Sequence, residues 1–105
     1  MTKEEIKRTV RGIVDNHLTD KSHLSYEEQQ FMLEEVFKYW PDGDSNEYID
    51  KYGGVEYMCV KYHYHEASHS SHPAIALKLR LKNDIEVWSW ISCLRNRPRP
   101  QKNSD

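Results

Sequence analysis

The sequence predicts an α+β fold, with two to three N-terminal helices packed on a C-terminal three-stranded antiparallel sheet. Three observations predict it. Up to about residue 52, apolar residues recur at helical spacing behind two capping boxes. After Gly54 the apolar period drops to two and β-favouring side chains dominate. Asn83-Asp84 then separates two such runs, as the turn of a hairpin does.

The first helix is expected over residues 3–17. Thr2-Lys3-Glu4-Glu5 has the form in which hydroxyl and carboxylate satisfy the free N–H groups of a helix start. Ile6, Val10, Ile13 and Val14 follow on one stripe, which His17 extends. Ser25-Tyr26-Glu27-Glu28 opens a second helix, expected over 26–39. Its apolar face carries Phe31, Met32, Leu33, Val36, Phe37 and Trp40, and Pro41 stops it. Ser45 to Tyr52 reads as a short third helix ended by Gly53-Gly54.

Strand character runs from Val55 to Tyr64. The segment 66–73 reads as a polar loop. Ile75, Leu77, Leu79 and Leu81 then alternate with Ala76, Lys78, Arg80 and Lys82. A two-residue turn at Asn83-Asp84 pairs Leu81 with Glu86, Leu79 with Trp88 and Leu77 with Trp90. Cross-strand partners share a face, so both tryptophans belong with the leucines. The return strand is expected over 85–94, closing a single domain of residues 1–94. Residues 95–105, Arg-Asn-Arg-Pro-Arg-Pro-Gln-Lys and onward, read as an extended, disordered basic tail.

The 105 residues fit one small domain, and an aromatic content of 11% argues for a packed core. No apolar run approaches the ~18 residues of a membrane span. Met-Thr-Lys-Glu-Glu-Ile-Lys lacks the apolar region of a secretion signal, so a cytoplasmic protein is expected. Cys59 and Cys93 fit no disulfide framework and read as reduced, buried thiols. The formal net charge of −2 hides a strong asymmetry. Residues 20–57 hold ten acidic and three basic side chains, and residues 58–105 hold eight basic and four acidic ones. An acidic helical half is joined to a basic hairpin half, and such a split can concentrate one sign of charge on one surface.

Four constellations bear on chemistry. His63, His65, His69 and His72 crowd one strand end and loop, and strand alternation puts His63 and His65 on one face. Imidazoles can ligate a transition metal, but no helical i,i+4 pair and no closing ligand set completes a site. The main expectation is therefore no metal and no cofactor, with His63, His65 and His69 as the only metal alternative. Catalytic motifs are absent: there is no nucleophile elbow, P-loop or zinc-protease motif, so no enzyme is expected. Cys93, between Trp90 and Leu94, reads as packing rather than a nucleophile.

The basic set is the stronger candidate. Lys78, Arg80 and Lys82 are expected on the open face of the hairpin, with Arg95, Arg97, Arg99 and Lys102 continuing it; Lys7, Arg8 and Arg11 join if the first helix packs beside the sheet edge. Such a stripe contacts phosphates without reading much sequence. Stacking on single-stranded bases needs exposed Tyr57, Tyr62 or Tyr64. The alternative contact is the acidic helical face, Glu27, Glu28, Glu34 and Glu35, docking on a protein partner such as a polymerase.

Taken in order, several of these segments resemble the defective chloroplasts and leaves (DCL) family, a domain also called DUF3223. The segments are Leu24-Ser25-Tyr26-Glu27-Glu28 through Leu33, Tyr39-Trp40-Pro41, Lys51-Tyr52-Gly53-Gly54-Val55, and Trp88-Ser89-Trp90-Ile91-Ser92-Cys93-Leu94. The resemblance covers about residues 8–95. It implies a non-enzymatic domain in RNA metabolism, since plant members are linked to chloroplast ribosomal RNA processing. A related domain ends the large subunits of plant-specific RNA polymerases. The family offers no catalytic residue to carry over, and the matching Gly53, Gly54, Val55, Trp88, Trp90, Cys93 and Leu94 read as fold determinants. The chain departs from the family pattern at Trp40, where His is usual, at Trp88 and Trp90, and in the His-rich loop.

Overall fold

A computed structural model describes residues 1–19, 21–65 and 69–98. Helix α1 (Lys3–Leu18) starts as expected: the Thr2 hydroxyl accepts from the Glu5 N–H and the Glu5 carboxylate accepts from the Thr2 N–H at 2.7 Å. Ile6, Val10, Ile13 and Val14 are its buried stripe. Helix α2 (Tyr26–Phe31) has the second capping box, between Ser25 and Glu28. Glu28 does two jobs, because its carboxylate also meets His17 Nε2 at 2.7 Å and so ties α2 to the end of α1.

Beyond Phe31 the chain leaves α-helical geometry. Met32–Val36 is a π-helical turn, with the Phe37 N–H donating to the Met32 carbonyl, and Phe37–Tyr39 is a 3₁₀ turn. A wider turn leaves backbone carbonyls without a helical partner. The C-terminal helix uses them: Arg97 Nη1 donates to the Glu35 carbonyl at 2.7 Å and Asn96 Nδ2 to the Tyr39 carbonyl at 2.9 Å. Helix α3 (Ser45–Lys51) is capped by Asp44 and ends at Gly53 and Gly54, both with positive φ.

Strands β1 (Val55–His65), β2 (Ser70–Leu79) and β3 (Ile85–Trp88) form an antiparallel sheet in the order β1-β2-β3. The three-stranded sheet under N-terminal helices is the predicted α+β class. The expected hairpin register is not. Ile75 pairs with Trp88 and Leu77 with Glu86, four residues away from the expected pairing. The end of β2 is drawn elsewhere: the Arg80 N–H donates to the Gly54 carbonyl and the Leu81 N–H to the Tyr52 carbonyl, so Arg80 to Asp84 make a wider turn. A shift of four is even, so every side chain keeps its face. Trp88 is buried with Ile75, Leu77 and Leu79, as the alternation requires.

The expected return strand to Leu94 is corrected as well. β3 stops at Trp88, and Ser89 caps a fourth helix, α4 (Trp90–Asn96), accepting from the Ser92 N–H at 3.2 Å. Arg95 and Asn96 are thus helical, and Arg97 is latched to Glu35, where an extended tail was expected; residues 99–105 lie outside the described ones. The expected polar loop also shortens, since β2 begins at Ser70.

The core sits between the helices and one sheet face. Met58, Ile75, Leu77, Leu79 and Trp88 meet the α1 stripe, Met32, Val36, Phe37 and Leu94. Trp40 stacks on Trp88 with ring centroids 4.3 Å apart, and Phe37 meets Trp88 edge-on at 5.3 Å. No helix among the described residues is long and apolar enough to cross a membrane.

Candidate nucleic-acid interface

The basic residues singled out from the sequence divide into engaged and free. Lys78 Nζ donates to the Leu79 carbonyl at 2.9 Å and meets Glu56 at 3.3 Å. Lys82 Nζ lies 2.7 Å from a Glu86 oxygen and 2.8 Å from the Tyr48 hydroxyl, over the Tyr52 ring. These hydrogen bonds to Glu86 and Tyr48 push the Lys82 ammonium pKa well up, with burial opposing. At Glu86 burial works to raise the carboxyl, but the Lys82, Tyr48 and Trp88 hydrogen bonds outweigh it and hold it low. Both lysines therefore have fixed internal partners. Arg80 is exposed in the wide turn, Arg97 is held by Glu35, and Arg99 lies outside the described residues. The hairpin face does not gather these cations into one stripe.

A different pair comes together. Arg95, on the outer side of α4, and Arg11, on α1, line one cleft of about 610 Å³. Among the described residues neither arginine has an ion-pair partner. Pro73 and His72 of β2 form its floor, and Trp90 and Ile91 contribute an apolar wall on which Ile91 is 47% exposed. Asp15 is the one carboxylate among the described residues of the lining. Arg11 reaches Arg95 from α1, whose buried stripe packs on the sheet, whereas Lys7 turns to Glu4 at 3.5 Å.

An aromatic strip shares the sheet face of Pro73. Pro73 pairs with Tyr62 across the β1–β2 ladder, and cross-strand partners share a face. Alternation adds Tyr64 to that face. Here the sheet runs past the helices, leaving Tyr62 63% and Tyr64 54% exposed. Tyr57, on the opposite face, is instead stacked flat on His23 at 4.1 Å. Two exposed rings on the face of Pro73, together with two guanidinium groups that have no ion-pair partner among the described residues, can stack on bases and contact phosphates.

The other candidates separate in the same way. On the acidic helix, Glu28 and Glu35 are engaged with His17 and Arg97, while Glu27 and Glu34 remain exposed. Burial works to raise the Glu28 carboxyl, but the Ser25 N–H and the His17 hydrogen bond outweigh it and hold it below the ordinary value. His63 stands directly across from His72, His69 Nδ1 lies 3.3 Å from the Tyr64 hydroxyl, and the His65 side chain lies outside the described ones. No group of three or more possible metal ligands forms among the described residues. Burial, aided by Asp42, pushes the Cys93 thiol up to about 11, and burial also raises Cys59 against the pull of Lys61. Protonated thiols are poor nucleophiles.

Sequence reasoning missed the cleft wall because it missed α4. The available signal was Ser89, a helix-capping residue type three positions before Ser92. Without a Glu or Gln at that third position the capping-box pattern is incomplete. Compared with protein-family models, curated proteins and solved structures, the chain matches none of them.

Proposed function

We propose that this domain is a non-enzymatic accessory of RNA metabolism that holds a single strand of RNA, free or within a ribonucleoprotein, along the α1–α4 cleft. One observation carries the reading. Arg11 and Arg95, without ion-pair partners among the described residues, line one cleft with Pro73, whose cross-strand partner is the exposed Tyr62, two residues from the exposed Tyr64. Guanidinium groups contact phosphates, and the rings stack on bases of any sequence. Asp15 partly offsets the arginines, so the expected contact is one or two phosphates rather than a long track. The resemblance to the DCL family supports the same class of activity. Two buried free cysteines fit a reducing compartment such as the cytoplasm.

Fluorescence anisotropy with a short single-stranded RNA and its duplex tests this. The single strand binds more tightly, because only its bases are free to stack. Tyr62→Ala and Tyr64→Ala each weaken binding by about 1–3 kcal/mol, the usual worth of one stacked base. No binding at low salt, or equal binding of duplex and single strand unaffected by both substitutions, overturns the proposal.

A further inference from the structure

Independently of RNA binding, we propose that the free edge of β1 is a docking site for an extended acidic peptide segment, which adds to the sheet as a fourth strand. The backbone geometry defines the edge. The Leu24 N–H donates to the Met58 carbonyl at 2.9 Å, from the side of β1 away from β2. In a strand the N–H and C=O of one residue point to the same side, and the side alternates. Val60, Tyr62 and Tyr64 therefore also aim their backbone groups outward, while Lys61 and His63 bond to β2. Among the described residues only Met58 of this row has a partner on that side. No proline or bulge guards residues 60–64, since the one irregularity in the ladder lies between Val55 and Tyr57.

Charge decides the occupant. A groove of about 510 Å³ opens at this edge and extends over the sheet face to Ile85 of β3, with Lys21, Lys61, His23, Cys59 and Tyr62 in its lining. Its described lining includes no carboxylate, and neither lysine has an ion-pair partner among the described residues. A second copy of the chain would bring a second Lys21 and Lys61 to the same groove, which like-charge repulsion disfavours. An acidic strand complements it. Alternation also specifies its pattern: carboxylates on the Lys61 side, and apolar or aromatic side chains beside Tyr62 and Tyr64.

The test is amide exchange by NMR, with a capped peptide of alternating Glu and Val titrated into the full chain. Saturating peptide slows exchange at Tyr62 and Tyr64 at least tenfold and leaves Lys61 and His63, already bonded to β2, unchanged. Lys21→Glu with Lys61→Glu weakens the peptide at least tenfold. Tyr62→Pro removes an outward donor without touching a β1–β2 bond and also abolishes binding; if that variant fails to fold, the charge reversal stands alone. The proposal is overturned by no binding at millimolar peptide, by binding that protects no edge amide, or by equal binding of a Lys-Val peptide. Edge protection that rises with protein concentration alone identifies a second copy and also overturns it. The two readings share Tyr62 and Tyr64 and are separated by charge: Lys21→Glu with Lys61→Glu weakens peptide binding and leaves RNA affinity, and Arg11→Glu with Arg95→Glu does the reverse.

Discussion

Glu28 accepts from the Ser25 N–H at 2.8 Å and from His17 at 2.7 Å, so one carboxylate caps α2 and fastens it to α1. Its depressed pKa has a definite sign. A carboxyl held below its unfolded value adds stability above that value, and the gain is lost as pH falls through the folded pKa. Thermal unfolding followed across pH 3 to 7 should therefore show a loss on acidification that Glu28→Gln reduces. At neutral pH the same substitution costs about 1 kcal/mol through the weakened cap. The cysteines give a second prediction at this scale. With Cys93 fully buried and its thiol pushed up to about 11, a thiol reagent at pH 8 modifies it only on unfolding. Rapid labelling of Cys93 in native protein carrying Cys59→Ser would contradict the packing assigned to it.

At the scale of elements, α4 is held by the π-helical turn. Arg97 reaches both the carbonyl and the carboxylate of Glu35, so Arg97→Ala leaves that carbonyl to solvent and loosens the wall that carries Arg95. A loss of about 1–3 kcal/mol is expected from a charge-assisted contact of this kind, read as a lower denaturation midpoint. Both capping boxes, the α1 stripe and the inward side of β2 were legible in the sequence, because hydrogen-bond capping and apolar period are local signals. Trp88 was assigned to the core correctly although its partner was not, since parity survives an even register shift. The register itself was hidden: it depends on Gly54 and Tyr52 capturing the amides of Arg80 and Leu81, a contact distant along the chain. The contacts of Lys78 with Glu56 and of Lys82 with Tyr48 were hidden for the same reason, as those partners lie far away in sequence, whereas Glu86, the ion-pair partner of Lys82, is only four residues on.

For the whole molecule, the acidic half and the basic half are tied by two ion pairs among the described residues, and most of the asymmetry stays on the surface. Glu56 and Glu35 each pair with a cation of the basic half, Lys78 and Arg97, whereas Lys82 pairs with Glu86 inside that half. What is left over is informative, because Arg11 and Arg95 come from opposite ends of the chain and meet at one cleft. The most direct test is the salt dependence of single-stranded RNA binding by the natural chain and by the double variant Arg11→Glu, Arg95→Glu. Each phosphate contact on a single strand contributes a slope of about −0.7 in log affinity against log salt. Loss of two contacts should flatten the slope by about 1.4 and weaken binding at low salt, with the thermal midpoint nearly unchanged. An unaltered slope and affinity in the double variant would contradict the assignment of this cleft to RNA.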